Sequence, residues 1–219
     1  MADFIEGPGI AALSCGKPVY LVVLLAGGGG DAQTMVNHAL NWAPTMPKAE
    51  FLAAELSGAP WFDMADPAAA SEGVARLAPL LDAFLDAALA KRRLPESHLA
   101  LVGFSQGAAL ALHVGLRREK EPAAIVAFSG ALFDLAALER DMRARPPVLF
   151  LHGEADDIVP YAAMSATKDA AKARGASVKA LKIPGGGHAI DDDGIIVAGD
   201  FLTQTVAYKP AAAGAHDAH

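Results

Sequence analysis

Ser105 stands at the centre of Gly103-Phe104-Ser105-Gln106-Gly107, a spacing that suits a nucleophile. A serine held in a strand-to-helix turn needs neighbours two residues away with almost no side chain, because the chain reverses sharply there; Gly103 and Gly107 meet that demand. The hydroxyl is a weak nucleophile at neutral pH, so it needs a base to take its proton and a carboxylate to orient that base. Where these groups come from loops at the carboxyl edge of successive strands, the expected order is Ser, acid, His. The chain supplies that order. His152-Gly153-Glu154-Ala155-Asp156-Asp157-Ile158-Val159-Pro160 carries two adjacent acids, and Gly185-Gly186-Gly187-His188 follows. His188 is the expected general base, since the glycines before it let the backbone set the imidazole at almost any angle. The chemistry alone leaves Asp156 and Asp157 both open as the orienting acid.

Acyl transfer also needs donors aimed at the developing oxyanion, and losing one typically costs on the order of 100- to 1,000-fold in rate. Gly27-Gly28-Gly29-Gly30 precedes Asp31 and a helical segment, so its backbone N–H groups can point into the site, with the N–H of Gln106 as a second donor. Four glycines before a helix also suit a phosphate. This run, however, lacks the Lys-Ser/Thr ending of a P-loop and the spacing of a dinucleotide fingerprint. Of the other histidines, His38 and His113 fall in helical segments, His98 at the start of a strand, and His216 and His219 near the end. His152 stands at a strand end but ahead of the acids, and it reads as a structural hydrogen-bonder.

Positioning such groups requires alternating strands and helices. Short Val/Ile/Leu/Phe runs are expected to be strands near residues 20–25, 50–54, 99–104, 124–128, 148–152 and 177–183. Helices are expected near 31–42, 71–92, 106–119, 134–144, 161–174 and 191–208, several opened by Asp or Ser as N-caps. The fold class is therefore α/β, with a mostly parallel sheet covered by helices on both faces, in one domain over residues 1–208. Turn signals at Gly7-Pro8-Gly9 and Ser14-Cys15-Gly16-Lys17-Pro18 suggest an antiparallel edge hairpin within residues 1–17. Residues 209–219 are low in complexity and are expected to form a flexible tail.

The 219 residues are 53% hydrophobic with a positive mean hydropathy, enough for a substantial core without staples. A net charge of −7 argues against nucleic acid as a partner, because nothing in it forms a phosphate-binding stripe. Arg92-Arg93 and Arg117-Arg118 read as solvated helix ends. The single cysteine, Cys15, leaves no internal disulfide, and no Cys/His set stands at zinc spacing. No signal-peptide core or span of roughly 18 apolar residues is present. The expectation is a cytoplasmic protein without stable membrane insertion and without a metal site.

With these residues placed, the chain resembles the phospholipase/carboxylesterase family of α/β-hydrolases, which includes acyl-protein thioesterases and small bacterial carboxylesterases. The resemblance spans residues 18–207. It rests on the glycine loop from Ala26 to Asp31, Trp61-Phe62-Asp63, the Ser105 pentapeptide, His152-Gly153 with Asp156 ahead of Val159-Pro160, and Gly187-His188. It implies Ser105 as nucleophile, Asp156 rather than Asp157 as orienting acid, His188 as base, and the N–H groups of Gly28 and Gln106 as oxyanion hole. It also implies a pocket role for Trp61 and Phe62, for which an ordinary aromatic cluster over the sheet edge is the alternative, and it admits a homodimer. Two departures stand out. Ala26 occupies the place of the family's usual histidine, and Asp157 that of a frequent proline. The implied activity is hydrolysis of a small-molecule carboxylic ester through an acyl-enzyme, with no metal or organic cofactor; because a histidine base must be neutral, that activity is expected to fall as pH drops below roughly 6 to 7. Acyl-protein thioesterase or lysophospholipase activity, or a non-catalytic ligand-binding role, are the alternatives.

Overall fold

The apolar runs are continuous rather than alternating because both faces of the sheet are covered. The structure, a computed structural model, describes residues 2–14, 16–57, 61–64 and 66–207; Cys15 and the expected tail with His216 and His219 lie outside them. Seven strands form one sheet: β1 (Asp3–Ile10), β2 (Tyr20–Leu25), β3 (Ala49–Ser57), β4 (Leu99–Phe104), β5 (Ala124–Phe128), β6 (Val148–Gly153) and β7 (Val178–Ile183), in the order β1-β3-β2-β4-β5-β6-β7. All neighbours are parallel except β1 with β3. The helices are α1 (Ala32–Ala39), α2 (Pro67–Arg92), α3 (Gln106–Gly115), α4 (Leu135–Asp141), α5 (Tyr161–Ala173) and α6 (Asp192–Leu202), the last running into a π-helical turn at Thr203–Ala207.

Side chains alternate across the pleat into two cores. Leu21, Val23, Leu25, Leu99, Leu101, Ile125, Val148 and Phe150 pack with α2, α3 and parts of α4 and α5. Val22, Leu24, Ala100, Val102, Val126, Leu149 and Leu151 pack with α1 and α6. Aspartates close the helix starts as their side chains accept backbone N–H groups: Asp31 from Gln33, Asp134 from Ala137 and Asp191 from Gly194. For α2 the cap is Asp66, bonded to the N–H of Ala68, with Pro67 in the first turn. That helix therefore starts ahead of Ser71, where the apolar period alone placed it. Among the described residues no helix is long and apolar enough to cross a membrane.

Two expectations are corrected. Among the described N-terminal residues there is no hairpin: β1 is a single strand antiparallel to β3 at the sheet edge, with a register shift between Glu6 and Gly9. The Gly-Pro-Gly signal is absorbed by this bulge rather than by a reversal, and a Cβ on Gly9 would lie 2.6 Å from the Phe51 carbonyl oxygen. Nor are the arginine pairs simply solvated. The side chains of Arg92 and Arg118 are each 8% exposed. Arg92 grips Glu50 through both Nε and Nη2 and also reaches Glu6, tying α2 to β1 and β3. Arg118 holds Asp82, Asp86 and Glu96, pinning the segment after α3 to α2.

His113, on α3, is largely buried, and that burial, helped by Arg117, pushes its pKa down to about 4 against the opposing pull of Asp141 and Asp134. A histidine neutral in the fold but free to protonate when unfolded makes the unfolded chain bind more protons as pH falls. Its contribution to stability is therefore complete at neutral pH and is lost from the ordinary histidine range, about 6.5, down towards 4. Between pH 7.5 and 4.5 the wild type is expected to lose about 2 to 3 kcal/mol more than His113→Gln. Urea unfolding midpoints of the two proteins at both pH values check this, and parallel pH dependences would contradict it.

Candidate active site

The turn from β4 into α3 carries Ser105 at φ 56°, ψ −118°, a conformation that residues with a Cβ rarely adopt. Its N–H donates to the Phe128 carbonyl at 2.9 Å, so the neighbouring strand holds the turn. The flanking glycines are steric requirements. A Cβ on Gly103 would lie 2.4 Å from the carbonyl carbon and oxygen of Gly107, and one on Gly107 would lie 2.3 Å from the Leu25 carbonyl oxygen. These neighbours are backbone and cannot swing aside. Gly103→Ala is expected to cost about 3 kcal/mol, at the upper end of typical overpacking, read as a lower denaturation midpoint; an unchanged midpoint would count against the steric account.

The loops after β6 and β7 bring the acid and the imidazole to this serine. Glu154 N–H donates to the Ile183 carbonyl at 2.9 Å and Ala155 N–H to that of Gly186 at 2.8 Å. Gly153 allows the close approach, because its Cβ would sit 2.3 Å from the carbonyl oxygens of Gly186 and Gly187. The result is a continuous chain of contacts. His188 Nε2 lies 2.9 Å from Ser105 Oγ, and His188 Nδ1 lies 3.0 and 2.9 Å from the two carboxylate oxygens of Asp156. A carboxylate can only accept there, so Nδ1 carries the proton and the Nε2 lone pair faces the serine. The imidazole also packs on the Phe104 ring, with centroids 4.9 Å apart.

Asp156 is buried, whereas Asp157 is exposed. Burial alone would raise the Asp156 pKa, but the amide of Val159, His188 and the amide of Ile158 outweigh it and hold the carboxyl below its usual range. Those two amides donate to Oδ1 at 2.8 and 3.0 Å. His152, fully buried, supports the same turn: its Nε2 donates to the Val159 carbonyl at 2.7 Å and lies 3.4 Å from Asp156 Oδ2. Burial, with His188 adding to it, depresses its pKa despite that hydrogen bond and Asp156. A neutral His152 leaves the Asp156 charge directed at His188.

The glycine loop lies against the elbow. A Cβ on Gly27 would meet the Phe104 ring and Ser105 Cβ at 3.2 Å, and one on Gly28 would fall 1.9 Å from Gln106 Oε1. The Gln106 amide in turn donates to the Phe62 carbonyl, linking the Trp61-Phe62-Asp63-Met64 segment to the turn. Ala26 is buried in the core beneath. The Phe62 ring packs edge-on against Phe133, while its carbonyl, accepting from Gln106, is what joins it to the site. Trp61 instead meets Phe4 edge-on, at a centroid distance of 5.8 Å, in a cluster at the sheet edge.

Ser105, His188, Asp156, Gln106, Gly28 and Phe62 are thus brought together, and Trp61 is turned towards β1. Met46 and Met164 are core residues, but Met64 is not: its Sδ lies 3.5 Å from Ser105 Oγ. The sequence offers Met46, Met64 and Met164 alike as adaptable pocket residues or, in the commoner use, as core filling, and the short irregular segment that holds Met64 has no period to decide between the two. Among the described residues no three His, Cys, Asp or Glu side chains gather as metal ligands.

A family model described as phospholipase/carboxylesterase matches residues 14–206. The chain is 32% identical to acyl-protein thioesterase 1 of Neurospora crassa over 116 residues, 51% of this chain and 47% of that protein, so the match spans about half of that relative. It is 27% identical to esterase YpfH of Escherichia coli over 87% of this chain and 85% of that protein. Among solved structures, esterase PE8 superposes with a TM-score of 0.87 at 33% identity, covering 93% of this chain and 99% of that one.

Proposed function

The chain belongs to the phospholipase/carboxylesterase family of α/β-hydrolases, and from that premise we propose that this esterase-family enzyme cleaves carboxylic esters through an acyl-enzyme on Ser105. The observation that carries the reading is the unbroken contact from Ser105 Oγ through His188 to Asp156. Ser105 attacks the ester carbonyl as His188 Nε2 takes its proton, and Asp156 stabilises the imidazolium that forms. The backbone N–H groups of Gly28 and Gln106, whose residues lie in contact, are the proposed oxyanion donors. The alcohol leaves with the proton from His188, and a water molecule repeats the sequence to release the acid. All the groups this sequence needs are the chain's own.

Thioester cleavage is the second reading, favoured by the partial likeness to a protein named an acyl-protein thioesterase. One experiment separates the readings. Hydrolysis of p-nitrophenyl esters of graded acyl length is compared with that of acyl thioesters, alongside labelling with a fluorophosphonate. Stoichiometric labelling at Ser105 with preferred turnover of short oxygen esters supports the carboxylesterase. Preferred turnover of long-chain thioesters would favour the alternative. Absence of both labelling and turnover would sink a catalytic Ser105.

A further inference from the structure

The structure describes Met35, Met46, Met64, Met142 and Met164. Four are packed into the cores, none more than 5% exposed. Met64 alone among these five is half-buried, and it is the one whose thioether touches the nucleophile, 3.5 Å from Ser105 Oγ. The serine has one proton and two acceptors beside it. A thioether is a weak acceptor, so the nearer His188 Nε2, at 2.9 Å, holds the proton and the site is competent.

We propose that Met64 is an oxidation site through which a hydroperoxide reversibly silences Ser105. A lone pair of Sδ attacks the terminal peroxide oxygen; the S–O bond forms as the O–O bond breaks, and the departing alkoxide or hydroxide takes the remaining proton as alcohol or water. Sulfur is oxidised by two electrons and the peroxide is reduced by two. The sulfoxide is polar where the thioether was not. Its oxygen is a strong acceptor on an atom already in contact with Ser105, so it draws the serine proton away from His188 and occupies space over the hydroxyl that the substrate carbonyl must enter. Methionine sulfoxide reductases remove that oxygen and restore the thioether. Among the described methionines burial shields the other four side chains, which directs oxidation within this set to the site itself.

This inference rests on the reading of Ser105 as nucleophile, and the test keeps the two apart. Untreated protein is labelled with a fluorophosphonate, then wild type, Met64→Leu and Cys15→Ser are exposed to hydrogen peroxide, with esterase activity and peptide masses followed together. Wild type and Cys15→Ser are expected to lose activity on the order of 100-fold, the value of general-base assistance, in step with one oxygen on Met64. A thiol should not reverse the loss, whereas methionine sulfoxide reductases should. Met64→Leu should keep most of its own untreated activity and its labelling. Equal inactivation of Met64→Leu, full Met64 oxidation without loss of activity, or recovery with thiol alone would each overturn the proposal while leaving the nucleophile in place. Failure of untreated protein to label would take both down.

Discussion

Replacement of Ser105 by alanine is expected to lower kcat/KM for ester hydrolysis on the order of 10⁵- to 10⁶-fold, with the fold intact. The size follows from the role proposed for the hydroxyl: if Ser105 is the nucleophile, without Oγ no acyl-enzyme forms and His188 and Asp156 have nothing to activate, so that most of the joint effect of the three is lost at once. The residual rate, faster than in water, comes from substrate binding and the oxyanion donors. Alanine retains the Cβ of serine, so the strained φ of 56° at the elbow is neither relieved nor worsened. The unfolding free energy should therefore move by no more than about 1 kcal/mol, the net worth of an ordinary hydrogen bond. Initial rates on p-nitrophenyl esters, paired with denaturant midpoints, test both statements. Retained activity in Ser105→Ala, or a loss explained by unfolding, would remove the basis for the acyl-enzyme.

The two adjacent acids offer the second large effect. Asp156→Asn is expected to reduce kcat on the order of 10⁴-fold, because the amide presents an N–H towards His188 Nδ1, favours the opposite tautomer and leaves Nε2 protonated against Ser105. Asp157→Asn should change kcat by no more than about 3-fold, since an exposed charge is screened by solvent. The pH dependence of stability carries the same signature. The folded-state pKa of Asp156 is depressed, so its contribution is present above the unfolded value of about 3.9 and is lost as pH falls through the lower folded value. Asp156→Asn should lose that acid dependence and Asp157→Asn should keep it. Equal kinetic effects of the two substitutions would remove the distinction between them.

The elements that were legible in advance are those whose determinants lie within a few residues. β4 and β5 fall at residues 99–104 and 124–128 as their apolar runs required, and α3 starts at Gln106. The errors fall where a partner far along the chain decides. The N-terminal strand pairs with β3 rather than with itself, a choice made by the open edge that β3 presents. The arginines at 92 and 118 looked like solvated helix ends, but carboxylates as distant as Glu6 and Asp82 enclose them.

The candidate site divides in the same way. Gly103 and Gly107 around Ser105, the order of serine, acid and histidine, and the glycine loop before Asp31 were readable as residue types and spacings, because steric clash at a tight turn and the offer of loops at strand ends are local properties. Which of Asp156 and Asp157 faces His188 depended on the side-chain direction set by the Val159 and Ile158 amides and by buried His152, across two loops zipped together through Gly153. The contact of Met64 with Ser105, and the turning of Trp61 towards Phe4, likewise required the full chain to close. Spacing along the sequence by itself determined the chemistry available to this protein; only the tertiary structure decided which groups meet, because burial and orientation are set by neighbours that the chain brings together from far apart.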